Sequence, residues 1–234
     1  MTSDRADWSE PTLVQADEDE LTDVVPVPEP DPEPQFTSVP VSRAPVSRRP
    51  RSAYPAGESP AWSDKLVERV ADVAVASMPI PLRVLDVGCG DGSLLCELIL
   101  RVPYAELYVA LDPRPDAVPA DVRAREPRLS VVQGAAEALP LPDASFDLVV
   151  TSLSLGLWLD PRAGAAELAR VVSDNGKVIV VETKKPQSSG RHKVHSVKDL
   201  TALLESGGLA VERVENVHRS PVGVSLAHAF IASP

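Results

Sequence analysis

The run Val84-Leu85-Asp86-Val87-Gly88-Cys89-Gly90-Asp91-Gly92 opens as a strand, breaks at glycines and passes into Ser93-Leu94-Leu95-Cys96-Glu97-Leu98-Ile99-Leu100, which has the length and composition of a helix. Leu82, Val84, Leu85 and Val87 supply the apolar, largely β-branched segment of a strand covered on both faces. Gly88, Gly90 and Gly92 let the backbone turn sharply, let a ligand approach with no Cβ in the way, and aim amide groups at the start of the helix toward it.

The glycine spacing selects among ligands. A dinucleotide loop reads G-x-G-x-x-G, with a pyrophosphate on the helix end and a ribose-binding acid about 20 residues further on. Here the third glycine comes one residue early, Ser93 stands where that pattern has glycine, and Asp86 precedes the first glycine by two residues. An acid in that place would repel a pyrophosphate and suits a cation. The acidic start with G-x-G-x-G resembles motif I of the class I S-adenosylmethionine-dependent methyltransferases, whose ligand carries a sulfonium and an amino acid end and no phosphate.

Downstream, Glu106 to Asp112 predicts a second strand ending in a carboxylate, 20 residues after Gly92. Such an acid is placed to take both hydroxyls of a ribose as charge-assisted hydrogen bonds, a geometry that dinucleotide domains share. The proline-broken crossover from Arg114 to Arg125 predicts only a short helix. Leu129 to Gln133 predicts a third strand. The run that follows, Gly134-Ala135-Ala136-Glu137-Ala138-Leu139-Pro140 and then Ser145-Phe146-Asp147, resembles the Gly-Asp-Ala-Glu, Leu-Pro, Ser-Phe-Asp signature of the type 11 methyltransferases, a family that includes enzymes of quinone biosynthesis and many natural-product methyltransferases.

That resemblance implies an α/β fold: a Rossmann-like, doubly wound, mostly parallel seven-stranded sheet closed by a C-terminal antiparallel β-hairpin. It implies S-adenosyl-L-methionine as cofactor and no metal. The cofactor-binding residues it implies are Asp86, Gly88, Cys89 and Gly90 toward the methionine end, Asp112 and Pro113 toward the ribose, Gly134, Ala135, Ala136 and Glu137 flanking the adenine, and Thr151 at the end of the fourth strand. Two positions depart from the family. Ala135 replaces an aspartate that accepts the adenine amino hydrogen, a contact worth about 1–3 kcal/mol, which a backbone amide near Ala136 or a water would replace in part. Gly156 stands where many relatives carry a histidine, which removes the first candidate for a general base.

The fourth strand, Phe146 to Thr151, opens into Ser152 to Asp160, a loop expected to face the methyl group because ligands of open parallel sheets sit beyond the strands' carboxyl ends. Trp158 reads either as a gate over the substrate or as core. Ala163 to Val172 predicts a crossover helix, and Asn175-Gly176 a turn into a fifth strand, Lys177 to Glu182. Lys184, Lys185, Arg191, His192, Lys193 and His195 then form a basic patch, read as receiving or covering an acidic or phosphorylated acceptor, or else as a solvated loop. His192 and His195 are the catalytic candidates as bases, and each also reads as a surface residue. Ser196 with Asp199 predicts a capped helix to Glu205, ended by Gly207-Gly208. Leu209 to Val217 and Val222 to Ala232, joined by a short turn at Ser220-Pro221, predict an antiparallel pair.

Upstream, Ser63 is an expected N-cap for a helix in which Leu66, Val67, Val70, Val73, Ala74 and Ser77 recur at helical spacing up to Met78-Pro79. Residues 61–234 therefore form the expected domain, and residues 1–60 an expected disordered tail. The tail holds nearly half of the 24 prolines, the acidic run Asp17-Glu18-Asp19-Glu20 and Pro28-Glu29-Pro30-Asp31-Pro32-Glu33-Pro34, then Arg43, Arg48, Arg49 and Arg51; it buries too little apolar surface to offset chain entropy. It reads as solvated, or as a docking arm for a protein partner. Met1 to Glu20 has no signal-peptide pattern and no run is apolar enough to span a membrane, so a cytoplasmic protein is expected. Cys89 and Cys96 read as small apolar fillers in a reducing compartment. The net charge of −11 provides no broad phosphate-binding footprint and disfavours nucleic acid as a partner.

The sequence thus predicts methyl transfer by in-line displacement to an O, N or C acceptor, most naturally a small molecule. Alternatives are a catalytically silent cofactor-binding module acting through its N-terminal arm, and an RNA or protein methyltransferase.

Overall fold

The computed structural model describes residues 64–183, 196–219 and 225–234. The expected tail, the Ser63 cap, the basic patch with His192 and His195, and the Ser220-Pro221 turn lie outside them. Among the described residues the order is α1 (Asp64–Ser77), β1 (Arg83–Val87), α2 (Ser93–Arg101), β2 (Leu107–Asp112), α3 (Ala120–Arg125), β3 (Leu129–Gln133), β4 (Phe146–Ser152), a 3₁₀ turn (Leu155–Leu157), α4 (Pro161–Val171), β5 (Val172–Thr183), α5 (Val197–Ser206), β6 (Ala210–Arg219) and β7 (Ser225–Ser233). No helix among them is long and apolar enough to cross a membrane.

The strands form one seven-stranded sheet in the order β3-β2-β1-β4-β5-β7-β6. β3, β2, β1, β4 and β5 pair in parallel, whereas β7 is antiparallel to both β5 and β6. Because side chains alternate across a strand, each central strand feeds two cores. Val84, Tyr108, Ala110, Leu148, Val150, Ile179 and Val181 pack under α1 and α2. Leu85, Val87, Val109, Leu111, Val149, Val178 and Val180 pack under α4 and α5. Burial on both sides is why these strands read as apolar runs without a polar alternation.

The helices follow their sequence signals. In α1 the predicted stripe Leu66, Val67, Val70, Val73 and Ala74 is buried, joined by Ala71. α4 starts with Asp160, whose side chain accepts the amides of Arg162 and Ala163, two of the donors that a helix start leaves unpaired. α5 carries the predicted capping box: Ser196 Oγ accepts the Asp199 amide at 3.1 Å and Asp199 Oδ2 accepts the Ser196 amide at 3.3 Å. α3 is short, as the prolines require, and none of its residues is buried.

One boundary differs. Asn175-Gly176 does not make a free turn before the fifth strand; β5 runs from Val172, and the register against β4 shifts between Phe146 and Leu148. A side chain at Gly176 would collide with Val172 and with the carbonyls of Phe146 and Asp147. The extra residues are thus absorbed in an irregular pairing close to the β4 backbone, as a bulge absorbs them.

Candidate functional site

The strand order reverses between β1 and β4, and the crevice beyond their carboxyl ends is where an α/β sheet of this topology binds ligands. Three polar side chains stand at those ends on the face shared with α1 and α2: Asp112 on β2, Asp86 on β1 and Ser152 on β4. All are buried. Asp86 Oδ2 and Ser152 Oγ have no hydrogen-bond partner among the described residues. Burial pushes the Asp86 carboxyl up to about 8, with the charges of Asp112 and Asp91 adding to the rise. A buried polar atom without a partner is costly, so this pair is provision for a polar group brought from outside.

The glycine loop lies over this crevice. Gly88 sits at φ +74° above Ser154, and a Cβ there would approach Ser154 Cβ to 2.6 Å, so only glycine fits both the conformation and the space. Ser154 Oγ is within 2.6 Å of Thr151 Oγ1 and donates to the Val87 carbonyl at 3.2 Å. The loop after β4 is thereby fastened beneath the loop after β1. Thr151 serves that fastening, with its side chain on the face opposite Asp86.

Three amides of the loop are taken up within the protein. Gly88 and Cys89 donate to the Leu111 carbonyl at 2.7 and 3.1 Å, and Gly90 donates to Asp112 Oδ2 at 3.1 Å. Asp91 Oδ1 takes the Ser93 amide at 3.0 Å, as an Asx turn does. What the loop offers a ligand is therefore the Cβ-free surface of Gly90 and the carboxylates beneath it. Cys89 is buried, and that burial, with the nearby Asp86 and Asp112 charges, pushes its thiol far up, so it stays neutral as a filler.

Asp112 accepts from Arg114 as well: the amide at 3.0 Å and Nε at 2.9 Å on Oδ1, and Nη2 at 3.3 Å on Oδ2. The motif readings did not include Arg114. The run Asp112-Pro113-Arg114 carried the signal, since an aspartate two residues before an amide forms an Asx turn and proline presets the backbone between them.

The segment expected to flank an adenine is held from several sides. Gly134 donates to the Asp112 carbonyl at 3.2 Å, and a Cβ on it would press against Pro140 Cδ at 3.0 Å. Ala135 is half-buried, bridged to Ala138, and Ala136 is buried in the core under α4. Glu137 turns away toward the neighbouring loop, where Oε1 accepts the amides of Leu159 and Asp160 at 2.6 and 3.3 Å. The Leu-Pro stretch is fixed to α4. Glu167 accepts the Leu139 amide, while Arg170 donates to the carbonyls of Leu139 and Leu141 at 3.0 and 2.8 Å. Trp158 is half-buried, packed against the cluster under α4 and against Gly164.

At the other side of the crevice, Glu182 near the end of β5 accepts the Gly156 amide at 3.3 Å and the Thr183 amide at 2.9 Å. It pairs in register with His228 on β7, so both side chains share one face. Sequence reading passed over both because their proximity depends on β7 inserting next to β5.

Residues 85–180 match the family described as methyltransferase domain. Over this segment the chain is similar to that family. A demethylmenaquinone methyltransferase of Deinococcus radiodurans is 35% identical to the chain over 123 residues, 51% of each protein. A C-methyltransferase of ubiquinone and menaquinone biosynthesis from Geobacter sulfurreducens is 30% identical over 132 residues, 54% of this chain and 52% of that protein. The chain thus spans about half the length of the curated relatives it matches. In fold, the domain is similar to the Burkholderia thailandensis 1,6-didemethyltoxoflavin-N1-methyltransferase, solved with 1,6-didemethyltoxoflavin and S-adenosylhomocysteine: TM-score 0.63 at 16% identity, covering 73% of this chain and 79% of that one.

Proposed function

We propose that the protein is an S-adenosyl-L-methionine-dependent methyltransferase acting on a small molecule of the quinone-biosynthesis class named for its relatives, in its electron-rich reduced form. The observation that carries the reading is the pair of unpartnered buried atoms, Asp86 Oδ2 and Ser152 Oγ, on one face at the strand-order reversal. The residues fit the cofactor: an orphaned carboxylate suits an ammonium group, the open surface at Gly90 admits a chain pressed close to the backbone, and the Asp112 carboxylate suits a ribose diol.

When bound, the cofactor supplies a methyl group activated by a sulfonium, and the protein's task is positioning. Asp86 and Ser152 hold the ammonium end. Asp112 orients the ribose. Gly134 to Ala136 line the adenine edge, with Ala135 offering no carboxylate to the amino group, and Glu137 acts indirectly by fixing the Leu159–Asp160 backbone. Glu182 is the group we assign to take a proton from the acceptor, because it is a carboxylate at the carboxyl end of β5 against the loop that follows β4, where it accepts the Gly156 amide.

Calorimetric titration of the full chain with S-adenosylmethionine, S-adenosylhomocysteine and NAD tests the cofactor, and transfer of a labelled methyl group to a short-chain 2-demethyl-1,4-naphthoquinol tests the acceptor. Micromolar binding of the first two ligands and label in the naphthoquinol are expected, with Glu182→Gln lowering turnover at least tenfold. Binding of NAD in their place would overturn the reading. Binding without turnover on any acceptor would favour a cofactor-holding module without transfer activity.

A further inference from the structure

We infer that Arg114 is a latch on the ribose-binding carboxylate, so that the cofactor takes its place by exchange with a guanidinium. This rests on the cofactor reading above. An ionised carboxylate has about four lone-pair sites, and Asp112 has four donors on it: the Arg114 amide and Nε on Oδ1, the Gly90 amide and Arg114 Nη2 on Oδ2. The two backbone amides are fixed by the Asx turn and the glycine loop. The two guanidinium contacts belong to a side chain that is 30% exposed, against 7% for Asp112, so they are the contacts able to leave. A ribose presents two hydroxyls, which match the two sites that the guanidinium holds.

The guanidinium also reaches across the glycine loop. Arg114 Nη2 would be the nearest atom, at 3.9 Å, to a Cβ built on Gly90. The arginine therefore spans the gap between β2 and the loop, which a ribose held by Asp112 must enter. Its charge offsets that of Asp112, and the same hydrogen bond raises the arginine's own pKa. A forked pair of charge-assisted bonds is strong and directional. Its replacement by two hydroxyls costs affinity, so Arg114 holds the cofactor more weakly than Asp112 alone would.

The test compares the full-length wild type with Arg114→Met, which keeps the apolar stem and removes the fork, by calorimetry with S-adenosylhomocysteine, adenosine and 2′,3′-dideoxyadenosine. The variant is expected to bind S-adenosylhomocysteine and adenosine about tenfold more tightly. Dideoxyadenosine, with no hydroxyls to exchange, binds both proteins equally. Arg114→Lys, which keeps the charge without the fork, falls between them and guards against a folding defect in the methionine variant. A general packing role would not depend on the ribose hydroxyls. Unchanged or weaker adenosine binding by both variants, or an equal gain for both nucleosides, overturns the latch while wild-type binding of S-adenosylhomocysteine leaves the cofactor reading standing. Absence of nucleoside and S-adenosylhomocysteine binding in every protein overturns both.

Discussion

Asp86 is 1% exposed and has a carboxylate oxygen with no partner among the described residues, so its ionisation is tied to whatever cation reaches it. A carboxyl of ordinary value 3.8 is raised to about 8 there, chiefly by burial. Between those values the folded protein keeps a proton that the unfolded chain releases, so its stability falls as pH rises from about 4 to about 8 and levels off above. Asp86→Asn removes this term. Urea unfolding across that range, without cofactor, should show the wild type losing ground to the variant as pH rises. Binding has the opposite preference. A cation held at Oδ2 draws the proton off, so calorimetry of S-adenosylmethionine at pH 7 in two buffers of different ionisation heat should report proton release for the wild type and less for Asp86→Asn. The ligand's amine titrates near 8 as well, and the difference between the two proteins removes its share.

At the scale of elements, the site depends on how α4 and the loops are locked together. Gly164, in the first turns of α4, lies against the Trp158 ring, where a Cβ would collide with it. Gly164→Ala should displace Trp158 and with it the Leu159–Asp160 backbone that Glu137 holds. A loss of about 1–3 kcal/mol in thermal unfolding and a shift in tryptophan fluorescence check this. Much of this layer was legible in the sequence, because its signals are local. The strand-glycine-helix run, the Ser196–Asp199 capping box and the proline-broken α3 each depend on neighbouring residues alone. Arg114 on Asp112 and His228 beside Glu182 were not read: the first is a turn contact between residues two apart, hidden behind the carboxylate's expected role, and the second required two strands to meet that are far apart in the chain. The partners of the Gly88, Cys89 and Gly90 amides were not legible either, for a related reason. Glycines free the backbone to face a ligand, yet here the Leu111 carbonyl and Asp112 lie closer and take those donors.

For the whole molecule, the position of β7 matters most. It is the last strand among the described residues, yet it lies inside the sheet, pairing β5 on one side and β6 on the other. Phe230, 2% exposed, carries the core under α5 across that junction, where Leu200, Leu204 and Leu209 belong to the same cluster. The opposite edge is lighter: the residues of β3 are half-buried or exposed. Stability should therefore be uneven across the sheet. Phe230→Ala is expected to cost about 3–5 kcal/mol, and Val131→Ala, on the edge strand, about 1 kcal/mol, both read from urea midpoints. A chain ending at Val224 goes further. It leaves β6 without its ladder to β7 and opens the β5 edge, near whose carboxyl end Glu182 lies. Such a chain should show no cooperative thermal transition and no cofactor binding, since the sheet that aligns the ends of β1, β4 and β5 is closed by its final strand. A cooperative transition in the truncated protein would show instead that β3 to β5 fold and hold the crevice without β7.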